Sequence, residues 1–340
     1  IDSGRPMKVR IGRVAFATGR RWRSSEGDVG PLLRGEETPS CVARMREALE
    51  RHGYFIARGL DAAMSTSYVR GIYAFGERLH GLPLSTKRRC AEAGIYCGPD
   101  AGTRELSYDG GSTSSARSWE FSRNAFTLAT TTTTKKTTTS CYPPGYVETF
   151  EELYARQDVV GRALARGFSE MLDLGDADYL SKLAEPGDFG TIRLMFYPGT
   201  EDADADVGIA PHTDFEAFTV MHQTSAGLQF FESGRWLDAP VADDGFLVII
   251  GDSLERLTNG TLKATPHRVL RNSNGDRFSI IRFHAFAPDT IITPLPQFGD
   301  PLYSPVSMEN HMRTTMRNLA DGIPSWDPNT NSSLSATRSY

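Results

Sequence analysis

Three short runs set the character of the second half of the chain: FLVII (Phe246–Ile250), HRVLR (His267–Arg271) and RFSIIRFHAF (Arg277–Phe286). β-branched and aromatic residues dominate them and turn-forming residues bound them, which is strand chemistry. FLVII is apolar at every position, so the strand it forms must be covered on both faces. Working outward, Thr191–Tyr197, Ala217–Gln223, Leu228–Phe231 and Arg235–Asp238 read the same way. Glu232-Ser233-Gly234 reads as a hairpin turn, and Asn272–Asp276, with Gly275, as a second. Short strands at this spacing predict a barrel or sandwich. The expected fold class is mainly β with flanking helices.

Upstream of Gly187 the periodicity changes. Val42, Met45 and Leu49 share one helical face, and Gly53 reads as the stop signal. Tyr54–Ala57 reads as a short strand. Tyr68, Ile72, Phe75 and Leu79 mark a second helix, and Phe150, Leu153, Leu164, Phe168 and Leu172 a long third one over about 147–172. Between Pro83 and Ser118 the pattern fades, which predicts a long irregular segment of the kind that forms lids and binding loops. Thr130–Thr139 contains only Thr and Lys, and reads as a flexible solvated loop. Ser307 is expected to cap a short helix running to about Leu319, and the tail after Pro324 is expected to be loose. The organisation expected is a helical N-terminal domain with a lid-like segment at 1–126, the Thr-rich loop at 127–145 and supporting helices at 146–186. The β-rich core then spans 187–290, and a C-terminal helix and loose tail span 291–340.

Composition narrows the function. The chain has 340 residues, 39% hydrophobic and 23% charged, with a net charge of −5. That balance is globular, and its sign argues against a basic nucleic-acid or anionic-membrane binder. The longest apolar run, Phe246–Ile250, is far below the roughly 20 residues that span a bilayer. Cys41, Cys90, Cys97 and Cys141 form no CxxC pair, so a thiolate zinc site or a disulfide framework is not expected. Ile1–Arg23 is basic and has no apolar core of a secretory signal, so the expected compartment is cytoplasmic.

The strands carry a constellation in order: His212-Thr213-Asp214, then His267, then Arg277-Phe278-Ser279. Each triplet alone is cheap; their arrangement is not. Residues i and i+2 of an extended segment point the same way, so His212 and Asp214 can offer a nitrogen and an oxygen to one metal. His267 can be the third ligand from another strand. Two His and one carboxylate on one face of an ion, with open positions, is the arrangement of non-haem Fe(II) oxygenases. Arg277 is expected on the next strand, antiparallel to that of His267 across the Asn272–Asp276 turn. Arg277, Ser279, Ile281 and Phe283 share one strand face. A guanidinium beside a hydroxyl suits the far end of a dicarboxylate, through an ion pair plus a hydrogen bond.

The motifs Phe196-Tyr197-Pro198, His212-Thr213-Asp214-Phe215, Gly227-Leu228-Gln229, Gly251-Asp252, Leu257-Thr258-Asn259-Gly260, Thr265-Pro266-His267-Arg268-Val269 and Arg277-Phe278-Ser279 occur in order. Between about Thr191 and Pro288 the chain thus resembles the isopenicillin N synthase-like branch of the Fe(II)/2-oxoglutarate-dependent dioxygenases. A weaker likeness covers Val42–Leu60 and Trp119-Glu120. The resemblance implies a double-stranded β-helix (jelly-roll) core at 187–290 with a helical N-terminal region. It also implies His212, Asp214 and His267 as iron ligands, with Arg277 and Ser279 holding the 5-carboxylate of 2-oxoglutarate and Tyr197 assisting. Many plant members carry Asn two residues before that Tyr; here the position is Met195, with Arg193 on the same face.

The expected function is therefore a non-haem oxidoreductase that uses Fe(II), 2-oxoglutarate and O2 to hydroxylate, desaturate or cyclise a small organic molecule, releasing succinate and CO2. An Fe(II) oxidase of the same fold without 2-oxoglutarate is the alternative, and a catalytically silent jelly-roll binding protein a further one. Phe283 and Ile281 are expected to touch substrate, as are Arg104 and Tyr108 from the irregular segment, where Arg104 is a candidate to hold an anionic group. His222 and His284 read as packing, and His52, His80 and His311 sit on helices without partner spacing. The expected partners are a small-molecule substrate only, with no nucleic acid and no membrane, and the chain is expected to be a monomer.

Overall fold

The computed structural model describes residues 26–36, 38–103, 115–123, 142–199, 208–270 and 275–334. Thr130–Thr139, Arg104, Tyr108 and Arg271 lie outside the described residues, as does most of the Asn272–Asp276 turn.

The N-terminal half supplies β1 (Glu26–Asp28), α1 (Gly30–Arg34), α2 (Pro39–His52), β2 (Tyr54–Arg58), α3 (Asp61–Met64), α4 (Thr66–His80), α5 (Leu84–Glu92), β3 (Tyr96–Cys97), β4 (Arg117–Phe121), α6 (Tyr146–Met171) and α7 (Tyr179–Lys182). The barrel strands follow: β5 (Ile192–Tyr197), β6 (Ile209–His212), β7 (Phe218–Gln223), β8 (Leu228–Glu232), β9 (Arg235–Asp238) and β10 (Phe246–Ile250), then α8 (Asp252–Leu257), β11 (His267–Val269) and β12 (Arg277–His284). The C-terminal part holds β13 (Ile291–Ile292), β14 (Val306–Ser307), α9 (Met308–Ala320), β15 (Trp326–Asp327) and β16 (Ser332–Ser333).

An eight-stranded sheet runs β1-β2-β10-β7-β12-β5-β4-β3, and a four-stranded sheet runs β6-β11-β8-β9. Apart from the β8–β9 hairpin, successive barrel strands alternate between the two, as in a jelly roll. The strand alternation sorts the core into two layers. Phe246, Val248 and Ile250 of β10 join the large cluster under the helices. Leu247 and Ile249 join a second cluster inside the barrel with Tyr54, Met195, Met221 and Phe230. β10 is apolar on both faces because one face meets helices and the other the barrel interior.

Local chemistry explains the elements. Gly53 ends α2 in the left-handed region at φ 75° and passes the chain straight into β2. The hairpin between β8 and β9 turns on Ser233 at φ 52° and Gly234 at φ 78°. Ser307 caps α9 by accepting from Asn310 N. The 26-residue α6 lies across the outer face of the large sheet, with Phe168 packing on Phe55 and Phe218. Gly161 lets it approach closely, since a Cβ there would fall 2.3 Å from the His284 ring.

Four expectations change. The segment between Pro83 and Ser118 is not irregular throughout, because Leu84–Glu92 is helical. Its sequence, LSTKRRCAE, buries only Lys87 and Cys90, too few positions to show a period. The Asn272–Asp276 turn does not close a hairpin. β11 pairs with β6 and β8, whereas β12 pairs with β5 and β7 in the opposite sheet. Sequence adjacency suggested pairing, but jelly-roll connections cross between sheets. Nor does the chain divide at 186/187: β2 pairs with β10, and β4 with β5, so N-terminal strands extend the barrel's own sheet. The tail, finally, is not loose as far as residue 334, because Ser325, Trp326 and Ser333 are buried.

Candidate active site

His212 ends β6 and His267 begins β11, and the antiparallel register sets the two directly opposite. Their rings lie 4.2 Å apart. Asp214 follows in the turn after β6, with Oδ1 at 3.8 Å from His212 Nε2 and 3.6 Å from His267 Nε2. One ligand atom from each residue lies within 4.8 Å of the others, and all three residues are buried. The two measured separations exceed hydrogen-bond length and match what two ligand bonds of about 2.1 Å can bridge.

The outward atoms of the triad are anchored. His212 Nδ1 lies 2.8 Å from Ala210 O, and His267 Nδ1 2.9 Å from Thr265 O. A carbonyl accepts only from N–H, so both rings carry their proton on Nδ1 and turn the Nε2 lone pair inward, the metal-binding tautomer. Burial, and then the neighbouring His267, hold His212 well below the ordinary imidazole range, so it is neutral. Thr219 Oγ1 donates to Asp214 Oδ2 at 2.5 Å, leaving Oδ1 for the centre. Asp252 N donates to Asp214 O at 2.8 Å. Gly251 permits this, since a Cβ there would sit 2.2 Å from Glu216 O. Donor set, tautomer and burial fit a divalent ion such as Fe(II).

The inward face of β12 carries Arg277, Ser279, Ile281 and Phe283. Arg277 stands opposite Tyr197, Ser279 opposite Met195 and Gln223, Ile281 opposite Arg193 and Met221, and Phe283 opposite Thr219. Arg277 is 0% exposed. Its Nη2 donates to Gln223 Oε1 at 2.8 Å, its Nε to Ser225 O at 3.3 Å, and its guanidinium lies 4.6 Å from the Tyr197 ring centre. Gly227, at φ 137°, has no side chain to crowd it; a Cβ would meet Arg277 Cδ at 3.3 Å. Arg277 Nη1 and Ser279 Oγ are buried and have no partner among the described residues. A buried cation with an unused donor beside an unused hydroxyl suits a carboxylate.

A pocket partly open to solvent, with about 450 Å³ of non-atom space, lies between the facing sides of the two sheets. His212, Asp214 and His267 line it together with Tyr197, Ile281 and Phe283. Arg277 and Ser279 do not line it themselves, but their register partners Tyr197 and Met195 do. Arg193 also lines the cavity, with its Nε 3.2 Å from Glu120 Oε1 and its guanidinium over Phe283. Thr219, Gln223, Met221 and Ile249 were not singled out from the sequence. The parity of Phe218–Gln223, which puts Thr219, Met221 and Gln223 on one face, carries that signal. His222 points to the helical side and shares a 2.7 Å hydrogen bond with the Tyr73 hydroxyl. His284 stacks on Phe218, and His311 Nε2 lies 3.1 Å from Phe215 O.

Residues 189–285 match the sequence pattern of the 2OG-Fe(II) oxygenase superfamily. This segment belongs to that superfamily. Among relatives, the chain is similar to a probable flavonol synthase 5 of Arabidopsis thaliana, 34% identical over 160 residues, or 46% of this chain and 49% of that protein. It therefore spans about half the length of that relative. A 1-aminocyclopropane-1-carboxylate oxidase 2 of Malus domestica is 25% identical over 78% of this chain and 77% of its own. Among solved structures, a full-length Neurospora crassa protein in complex with alpha-KG superposes with a TM-score of 0.71 at 18% identity, covering 86% of this chain and 95% of that one. The fold shared with that structure thus extends well beyond residues 189–285. No helix among the described residues is long and apolar enough to cross a membrane.

Proposed function

We propose that the chain is an Fe(II)- and 2-oxoglutarate-dependent dioxygenase that oxidises a small organic molecule with O2, converting 2-oxoglutarate to succinate and CO2. One observation carries this reading. A two-imidazole and carboxylate triad on the small sheet is matched, on the inward face of the large sheet, by a fully buried guanidinium with an unused donor.

His212, Asp214 and His267 would hold Fe(II), which when bound supplies the redox chemistry that side chains lack. The rest is the work of this chain's residues. Ala210 O and Thr265 O fix both imidazoles in the ligating tautomer, and Thr219 orients Asp214. Arg277 Nη1 and Ser279 Oγ bind the 5-carboxylate of 2-oxoglutarate, while Gln223 and Ser225 O hold the guanidinium in place. Tyr197 packs its ring on that guanidinium and closes the site on one side. Met221, Ile249, Ile281 and Phe283 exclude water and take the apolar body of the substrate. The substrate is a small molecule, because the pocket is lined by the facing sides of two sheets.

Met195 supports a second reading. An apolar thioether replaces a polar partner for the cosubstrate beside Tyr197, which favours a 2-oxoglutarate-independent oxidase in which Arg277 grips the substrate's own carboxylate. Anaerobic addition of Fe(II) and 2-oxoglutarate separates the two. The dioxygenase gives a weak visible charge-transfer band; iron binding without that band selects the oxidase.

A further inference from the structure

The segment after Pro324 closes on the turn that carries two of the candidate ligands. β15 and β16 pair Trp326 with Ser333, and Leu334 N donates to Ser325 O at 2.7 Å, so residues 325–334 form a small hairpin. Two hydroxyls of this hairpin reach Thr213, the residue between His212 and Asp214. Thr213 N donates to Ser325 Oγ at 3.3 Å, and Thr213 Oγ1 to Ser333 Oγ at 3.3 Å. Ser333 Oγ donates onward to Asp252 Oδ1 at 2.7 Å, and Asp252 N donates to Asp214 O at 2.8 Å. Thr213, Asp252, Ser325 and Ser333 are all buried. Buried polar groups are costly unless paired, so this chain of partners admits one placement of the turn.

The same hairpin also reaches the third ligand's strand. Trp326 packs edge-on against Phe231, with ring centres 5.1 Å apart, and against Trp236 at 5.6 Å. Trp236 in turn carries the guanidinium of Arg268 at 4.5 Å, and Arg268 follows His267 on β11. The hairpin thus holds the turn of His212 and Asp214 through hydroxyls and the strand of His267 through edge-on aromatic contacts and the Arg268 guanidinium. It lies outside the segment that matches the superfamily.

We infer that residues 325–334 are a positioning strap for the metal site. The strap acts by setting the relative placement of the two ligand-bearing elements, through Thr213 and β11. This rests on the metal reading above. Its consequence is that metal retention depends on the strap more than the fold does. Partners one step removed from a metal ligand typically govern about 10- to 100-fold in affinity, and these hydroxyls act one step further out, which places the expected effect near tenfold.

The test uses the full chain with Ser333→Ala, Ser325→Ala/Ser333→Ala and Trp326→Ala. Fe(II) affinity is measured anaerobically, metal release with excess chelator, and the melting temperature without metal. The expected result is about tenfold weaker Fe(II) binding and correspondingly faster release in the double variant, a smaller change in Ser333→Ala, and a metal-free melting temperature within a few degrees of wild type. Unchanged affinity and release in all three variants overturn the strap. So does a loss of affinity that appears only together with a large fall in the metal-free melting temperature, which would make the hairpin merely structural. Failure of the wild-type chain to bind Fe(II) overturns the metal reading itself, and the strap with it.

Discussion

On β6 and β11, the atoms of the candidate ligands that face away from the centre are spoken for: two Nδ1–H groups reach backbone carbonyls, and the outer carboxylate oxygen accepts from Thr219. On β12, across the barrel, Arg277 and Ser279 are just as buried, yet Nη1 and Oγ have no partner among the described residues. The difference separates two ways of preparing a site. The triad is preorganised, with rotation and tautomer settled before an ion arrives. In the proposed complex, the Arg277–Ser279 pair is prepared by leaving donors unsatisfied, so that the desolvation cost is offset when a carboxylate binds. An unpaired buried atom is not sufficient evidence of a site, however. His80 Nδ1 is also unpaired, but its ring lies among Tyr96, Trp119, Phe196 and Phe278 and does not line the cavity.

The largest effect breaks the preorganised end. His212→Ala and Asp214→Ala should each abolish Fe(II) binding and turnover while leaving the fold largely intact, because removing a ligand exceeds the roughly 10- to 100-fold cost of losing an outer partner. Anaerobic Fe(II) titration checks this, and unchanged affinity in both variants would falsify the metal centre.

Next comes the unsatisfied end. Arg277→Ala should weaken 2-oxoglutarate binding by about 3–5 kcal/mol, roughly a hundred- to several-thousand-fold, the usual cost of stripping one partner from a buried ion pair. Arg277→Lys should recover only part, since an ammonium cannot reproduce the planar contact and also loses the fit to Gln223 and Ser225. The readout is the KM for 2-oxoglutarate in succinate formation, and a near-wild-type value in Arg277→Ala would sink the assignment.

His80 sharpens the comparison from the other face of the sheet. Burial lowers its pKa from 6.5 to about 3, with its Nε2–H donating to Leu194 O. The unfolded chain therefore takes up a proton near pH 6.5 that the folded chain refuses until about pH 3. Stability from this group is complete above about pH 6.5 and falls progressively below it, at up to about 1.4 kcal/mol per pH unit. Melting temperature followed from pH 7 to pH 4 should fall, and His80→Phe should flatten the slope. An equal slope in the variant would place the acid sensitivity elsewhere.

Much of the architecture was legible because it rests on local signals. Gly53 as a stop, the doubly apolar Phe246–Ile250 and the Ser233-Gly234 turn need only neighbouring residues to be read. The site was legible where parity and spacing sufficed. His212, Asp214 and His267 come together at one point, and Ile281 and Phe283 line the same cavity. Long-range pairing was not legible. The order of strands placed β12 in the sheet opposite β11, although ten residues separate Arg277 from His267 in sequence. The contacts of Ser325 and Ser333 with Thr213 span 112 and 120 residues and carry no periodic trace. Helix α5 was invisible because a charged surface hides its period.

The smallest effect tests whether the two unpaired atoms on β12 act as a pair. Ser279 Oγ is buried and unpaired, and its register neighbours on that face are Met195 and Gln223, with the Gln223 oxygen already engaged by Arg277. A ligand carboxylate held by Arg277 is therefore the partner the hydroxyl has available in the proposed complex. Ser279→Ala should cost about 1.5–3 kcal/mol in 2-oxoglutarate binding, the scale of one hydrogen bond to a charged group. It should slightly stabilise the ligand-free chain, because it removes a buried hydroxyl with nothing to bond. Those opposite signs distinguish a ligand-binding hydroxyl from a packing one, which would lower the melting temperature and leave the KM unchanged. In the Arg277→Ala background the further loss from Ser279→Ala should shrink, since the carboxylate is no longer drawn to that end of the barrel. Full additivity of the two substitutions would mean that the two donors act on different ligand groups.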